Sequence, residues 1–399
     1  MTQTNKNGTL PMRVACAIFF LLFTFLYLYN YQDDILAVAQ HVLSQGATHY
    51  NRTIGAVIIT LVLWLLQLAL YAFTGLTRRC HALTYLPSLL LMGALTSASP
   101  DILSGHCSVL WLWLFPLLMV VYGFIVWVVR QLESIEPEPL SQGFFTRMVW
   151  VNLLQMVVMA LITCGIGNSD KVFHYRMHLE SDLLDGNYAD ALRVGQDDAA
   201  TDSSLTMLRI AALSSTGELG ERLFTYPLVG RSDAMLPNGQ SVRLAMVPET
   251  WLYKKIGVVF KEKVSPRRYL ELAHEKGYAK HETHDWLLTA YLLDGDLDAF
   301  AHALPRYYNV SKPLPLHYRE ALVLYAHLRQ HPFVVFHSQV MEADIDDFLN
   351  LLHSTYDAAT RRYELRSNYG KTYWYYYYSH PTTPSMHLTT RRSPISCRW

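Results

Sequence analysis

Few residues in this chain have the type and spacing that chemistry requires. The first are Asp33 and Asp34, set directly after an apolar run and ahead of the amphipathic stretch Ile35–Leu43. A carboxylate at a membrane surface could serve as a base or a metal ligand. The same pair is also an ordinary acidic start for a surface helix. The second group is His281-Glu282-Thr283-His284. A metalloprotease helix needs two histidines four apart on one face. Here they are three apart, and 17 histidines in the chain make chance pairs common. The third group is Gln67, Asn152 and Gln155, polar residues inside apolar runs. Asn152 and Gln155 share a helical face, which suits a polar path or hydrogen bonding between helices, at ~0.6 kcal/mol per pair. Interhelical bonding is the expectation, because no Asp, Glu, Lys or His lies deep in any run. That absence also argues against an ion-coupled transporter. The chain has no Gly-x-Ser-x-Gly, phosphate-binding glycine loop or credible triad, so neither cofactor nor metal is expected.

The elements that would position these residues divide the chain. Five apolar runs, Met12–Tyr29, Ile54–Phe73, Ala82–Ala98, Val109–Val129 and Phe144–Thr163, fill residues 1–168. About 20 apolar residues at ~1.5 Å each match a bilayer core, so these runs predict about five transmembrane helices and a lipid bilayer as partner. The third run is shortest and is interrupted by Pro87, so a re-entrant segment competes there with a full crossing. Lys6, Arg13, Arg78, Arg79, Arg130 and Arg147 fall in or beside one set of loops, against Arg52 alone in the alternate set. This asymmetry predicts a cytoplasmic N-terminus. Five crossings then place residue 169 onward outside, in the periplasm if the membrane is a bacterial inner membrane.

Residues 169–379 are polar enough to be soluble and read as short amphipathic helices. Gly186-Asn187-Tyr188, Gly217-Glu218-Leu219 and Gly295-Asp296-Leu297 have the turn chemistry of tetratricopeptide-like helical pairs. Their spacing approaches the usual period of ~34 once and then breaks it. The fold class expected is therefore all-α: a transmembrane bundle followed by a tetratricopeptide-like helical-repeat domain. Pro227 and Pro305 are expected to end the second helices of two units. Pro237-Asn238-Gly239 beside Ser241–Val247 suggests a short hairpin, in the most basic segment of the domain, with Arg231, Arg243, Lys254, Lys255, Lys261 and Lys263. The aromatic run Tyr373–Tyr378 is expected to cap the helical stack, and residues 380–399 to form a disordered tail. Hydrophobic content of 51% and a formal net charge of +0 give no basic face for nucleic acid. None of the five cysteines falls within 170–379, so no disulfide framework is expected there.

Segments from Ile35–Ala72 through Gly167–Glu180, Thr201–Phe224 and Tyr369–Tyr378 resemble an uncharacterised family of multi-pass membrane proteins from Bacteroidota. That resemblance implies location and architecture but no activity. A helical-repeat domain of this kind implies recognition of a protein partner. The alternative comes from membrane glycosyltransferases that use lipid-linked sugars. They place a catalytic carboxylate ahead of a helix on the outer membrane surface, which would assign that role to Asp33 or Asp34.

Overall fold

A computed structural model describes residues 9–76, 79–98, 109–133, 146–238, 241–258 and 264–380. Among the described residues the regular structure is entirely helical, with 18 α-helices and no strand. Lys6, Arg78, Gly239, Lys261, Lys263 and the expected tail beyond His380 lie outside the described residues. The chain divides into two compact units, Met1–Ser181 and Asp182–Trp399.

The first unit contains α1 (Leu10–Leu26, continued by a π turn over Tyr27–Tyr31), α2 (Asp33–Leu43) and α3 (Arg52–Thr74). It continues with a 3-10 turn (His81–Tyr85) leading into α4 (Leu86–Thr96), then α5 (Val109–Glu133), α6 (Arg147–Ile166) and α7 (Lys171–Asp185), which carries the unit boundary. Four stretches are long and apolar enough to cross a membrane: Leu10–Tyr31, Arg52–Thr74, Trp111–Leu132 and Arg147–Ile166. Their outer faces are apolar and open, as at Leu161, 67% exposed. Exposed apolar faces of this extent mark surfaces that meet lipid or another protein.

His81–Thr96 is different: it is short, and seven of the eleven residues of α4 are buried against its neighbours. Pro87 does not break it. It stands in the first turn of α4, where a missing N–H costs nothing. Five 3-10 residues and eleven α residues give a continuous element about 26 Å long.

Named contacts fix the direction of each helix. Asn152 of α6 donates to Met12 Sδ (3.1 Å), and at the far end Gly167 lies against Tyr27, so α1 and α6 run parallel. Asn152 Oδ1 accepts from the Ala82 N–H (2.8 Å) and the Asn168 N–H donates to the Thr96 carbonyl (2.8 Å), so the short segment also runs with α6 along most of its length. Ser88 donates to the Leu63 carbonyl (2.9 Å) and Gln67 to Thr84 (3.0 Å), which makes α3 antiparallel to it. Tyr122 and Val126 of α5 pack with Leu76, Leu70, Leu83 and Leu86, so the C-terminal part of α5 lies beside the end of α3 and the start of α4. Directions therefore alternate through α1, α3, α4, α5 and α6.

Gln67 and Asn152 both serve as bonds between helices, whereas Gln155 Oε1 is buried without a partner. Asn152→Leu should leave the buried Ala82 N–H unpaired and cost about 1–3 kcal/mol. A lowered melting temperature in detergent, absent in Gln155→Leu, would show it.

The second unit comprises α8 (Tyr188–Ala191), α9 (Ser203–Thr216), α10 (Leu219–Arg222), α11 (Glu249–Ile256), α12 (Pro266–Glu275) and α13 (Thr283–Asp294). It is completed by α14 (Leu297–Tyr307), α15 (Leu316–Leu328), α16 (Gln339–Leu352), α17 (Ala358–Tyr369) and α18 (Tyr373–Ser379). Helices α9, α13 and α15 form the core and are buried nearly all round. Gly186, Gly217 and Gly295 each adopt a left-handed conformation, with φ of 76°, 73° and 70°. The N–H after each glycine returns to a carbonyl one turn back, as in Glu218 to Leu213 (2.9 Å) and Asp296 to Tyr291 (2.9 Å). This cap turns a chain sharply out of a helix. Gly277 makes a fourth such turn between α12 and α13.

The helices that follow these turns depart from expectation. Of the three turns marked in sequence, only Gly295 joins a full helical pair, α13–α14; α8 and α10 are single turns of four residues. Pro305 lies inside α14, which continues to Tyr307. The expected hairpin is a loop: Val242 donates to Asn238 Oδ1 (3.0 Å), and Ser241–Val247 forms no strand. Lys255, one of the residues of the basic segment, packs over the rings of Tyr188 and Trp251, 5.3 Å from each.

Candidate functional site

Asp33 and Asp34 open α2, immediately after the π turn, and both carboxylates are engaged. Asp33 Oδ2 lies 3.1 Å from Arg52 Nε, and Arg52 also stacks on Tyr29, 4.3 Å from its ring centre. Asp34 Oδ1 lies 3.1 Å from His178 Nδ1 of α7. Burial raises the pKa of Asp33, and the adjacent Asp34 adds to this, while Arg52 and His178 oppose it. Beneath the pair, Gln32 is fully buried and donates to Tyr27 Oη (3.1 Å) and to the Asn168 carbonyl (3.0 Å). Gly167 closes this cluster. A Cβ there would stand 2.1 Å from Tyr27 Oη. The arrangement ties the ends of α1, α4 and α6 together, so the acidic pair sits on a fixed platform with its charges taken up locally.

In the second unit a groove of about 540 Å³ opens between the ends of α17 and α18 and the segments 196–201 and 224–229. Its aromatic wall is Phe224, Tyr226, Tyr375 and Tyr376, with His380 stacked on Tyr376 at 4.6 Å. The sequence of α18 explains the wall. Tyr373, Trp374 and Tyr376 turn inward, where Tyr373 and Tyr376 donate to the Leu292 and Leu293 carbonyls that end α13. Tyr375 is left facing the groove, and its hydroxyl makes no bond among the described residues. Thr201 Oγ1 is buried there without a partner. Asp197 stands on one side and Arg366 and Lys371 on the other, with no ion pair among the described residues. An aromatic wall carrying several unfulfilled polar groups is the usual composition of a binding site. Its one hydroxyl beside an imidazole is Ser379 Oγ, 3.1 Å from His380 Nδ1, and that hydroxyl is taken by the Tyr375 (2.6 Å) and Tyr376 (3.2 Å) carbonyls.

The histidines singled out in sequence gain a third companion. His284 in the first turn of α13 lies 5.5 Å, ring to ring, from His281 and 5.3 Å from His274 in the last turn of α12. Tyr307 of α14 stacks on His284 at 4.1 Å. Burial lowers the pKa of His274 and His284, and the neighbouring imidazoles lower that of His284 further. His274 escaped the sequence reading because it lies on another helix, and only the Gly277 turn brings it back.

No curated protein and no solved structure matches this chain. Residues 249–380, less than half of the chain, match the model of a family of unknown function, DUF6057, so this part of the protein is similar to an uncharacterised family.

Proposed function

We propose that this is a multi-pass protein of a bacterial inner membrane that holds a tetratricopeptide-like helical domain in the periplasm to bind another envelope protein. Residues 1–168 form the membrane part in this reading and 169–379 the helical domain. Five crossings are supported by the alternating directions of α1, α3, α4, α5 and α6, with His81–Thr96 shielded by longer helices. Arg13, Arg79, Arg130 and Arg147 all belong to the end that would face the cytoplasm, whereas Arg52 at the other end is neutralised by Asp33. The resemblance to Bacteroidota membrane proteins agrees with this location. The observation that carries partner binding is the groove beside Tyr375, where the buried Thr201 Oγ1 has no partner among the described residues.

Photo-crosslinking in cells tests it. A benzophenone side chain at position 375 should yield a discrete protein adduct, whereas one at Tyr363, 70% exposed on α17, should not. Equal labelling at both positions, or none at 375, would refute the groove.

The raised pKa of Asp33 is the one feature that favours the glycosyltransferase reading, since a general base near neutrality needs such a shift. Asp33→Asn with Asp34→Asn should abolish function in such an enzyme. Partner capture at position 375 should survive it.

A further inference from the structure

We propose that His274 and His284, completed by His281, form a binding site for a divalent metal of the zinc class. His274 Nδ1 faces the Leu270 carbonyl at 2.8 Å, which assigns the ring proton to Nδ1 and leaves the Nε2 lone pair bare. That Nε2 is buried and has no hydrogen-bond partner. A backbone carbonyl holding one ring nitrogen while the other is kept free is the arrangement that orients metal-ligating histidines.

The spacing of the rings points the same way. Zinc–nitrogen bonds of ~2.0–2.1 Å in a tetrahedral site place the centres of two bound imidazoles about 5.2 Å apart. His274 and His284 stand at 5.3 Å, and His281 and His284 at 5.5 Å. The scaffold is rigid where it must be. The Tyr278 N–H returns to the Ala273 carbonyl (2.8 Å) in the left-handed turn at Gly277, which folds α13 back on α12. Tyr307 clamps the open face of His284.

Apart from the exposed Glu282, the surroundings leave the imidazoles as the available ligands. Asp285 is taken by the hydroxyls of Tyr308 (2.7 Å) and Tyr318 (2.9 Å), and Lys280 turns away to the Lys254 carbonyl (2.5 Å). Among the described residues no three His, Cys, Asp or Glu side chains already surround a common point. The site therefore closes on the ion: His281, exposed beside the start of α13, turns inward and water fills the remaining position. Imidazole donors without thiolate suit zinc, copper and nickel in preference to calcium or magnesium.

Titration of the full-length protein in detergent with zinc chloride, followed by calorimetry, tests the assignment. One high-affinity zinc per chain is expected. His274→Ala and His284→Ala should each weaken it by about tenfold or more. His337→Ala, on an 84% exposed side chain beside Glu342, should not. Pulsed electron paramagnetic resonance of one equivalent of copper(II) on the unaltered protein gives a readout that does not depend on the variants folding. Coupling to at least two imidazoles is expected. Zinc affinity unchanged in both variants, or copper coupled to fewer than two imidazoles, would overturn the site.

Discussion

Glu320→Ala should destabilise the Asp182–Trp399 unit by about 3–5 kcal/mol, the usual cost of removing one member of a buried ionic or charge-assisted pair. Glu320 is 4% exposed. Its Oε2 accepts from the Tyr373 N–H (2.7 Å) and faces His317 Nδ1 (2.9 Å), while its backbone carbonyl accepts from Trp374 Nε1 (2.8 Å). The carboxylate is thus the N-terminal anchor of α18, and its loss strands a backbone donor and a fully buried imidazole together. A unit of this size should melt about 6–20 °C lower, followed by fluorescence of the full-length protein in detergent. Glu320→Gln keeps an acceptor for Tyr373 and should lose less than half as much. Because α18 also builds the groove, Glu320→Ala should reduce crosslinking from position 375 below the melting transition. A loss under about 1 kcal/mol would mean that the aromatic run is held by packing alone.

Trp286→Ala is the other large effect, expected at about 3–5 kcal/mol from the cavity left behind. Trp286 is wholly buried on α13, and its Nε1 donates to Ser214 Oγ of α9 (2.7 Å), joining two of the three core helices. Two substitutions separate the contributions. Trp286→Phe keeps most of the ring volume but leaves Ser214 unpaired, and Ser214→Ala removes the acceptor while keeping the ring. Each should cost about 1–2 kcal/mol, well short of the alanine variant. Chemical denaturation of the full chain checks the order. Similar losses for Phe and Ala would place the energy in the hydrogen bond and contradict the packing account.

How much of this was legible in the sequence depended on range. Composition suffices for the four long apolar stretches, because length and hydropathy alone mark a helix such as Leu10–Tyr31 as able to cross a membrane. The character of His81–Thr96 was not readable. Pro87 looks like a break until it is seen to occupy the first turn of α4, and the directions that make this segment alternate with its neighbours rest on contacts such as Asn152 to Ala82. Local turn chemistry was readable, and Gly186, Gly217 and Gly295 each turn the chain, through a left-handed cap. What followed each turn was not, since the length of α8 and α10 is decided by what their single turns pack against. Gly277 makes the same cap without the Gly-polar-apolar triplet that marks the other three turns in sequence.

The candidate sites follow the same rule. The partners of Asp33 and Asp34 are Arg52 and His178, brought in by α3 and α7. The groove draws on four separate segments. The spacing of His281 and His284 is visible in the chain, but His274 joins them only through the antiparallel packing of α12 and α13.

The central claim is that the helical domain lies on the far side of the membrane from the N-terminus, and one measurement addresses it most directly. Alkaline phosphatase and green fluorescent protein are fused in turn after His380, a junction that leaves the buried Tyr373, Trp374 and Tyr376 in place. Five crossings from a cytoplasmic N-terminus predict an active phosphatase and a dark fluorescent protein. A bright fluorescent fusion with an inactive phosphatase would show that His81–Thr96 does not cross and that the domain faces the cytoplasm.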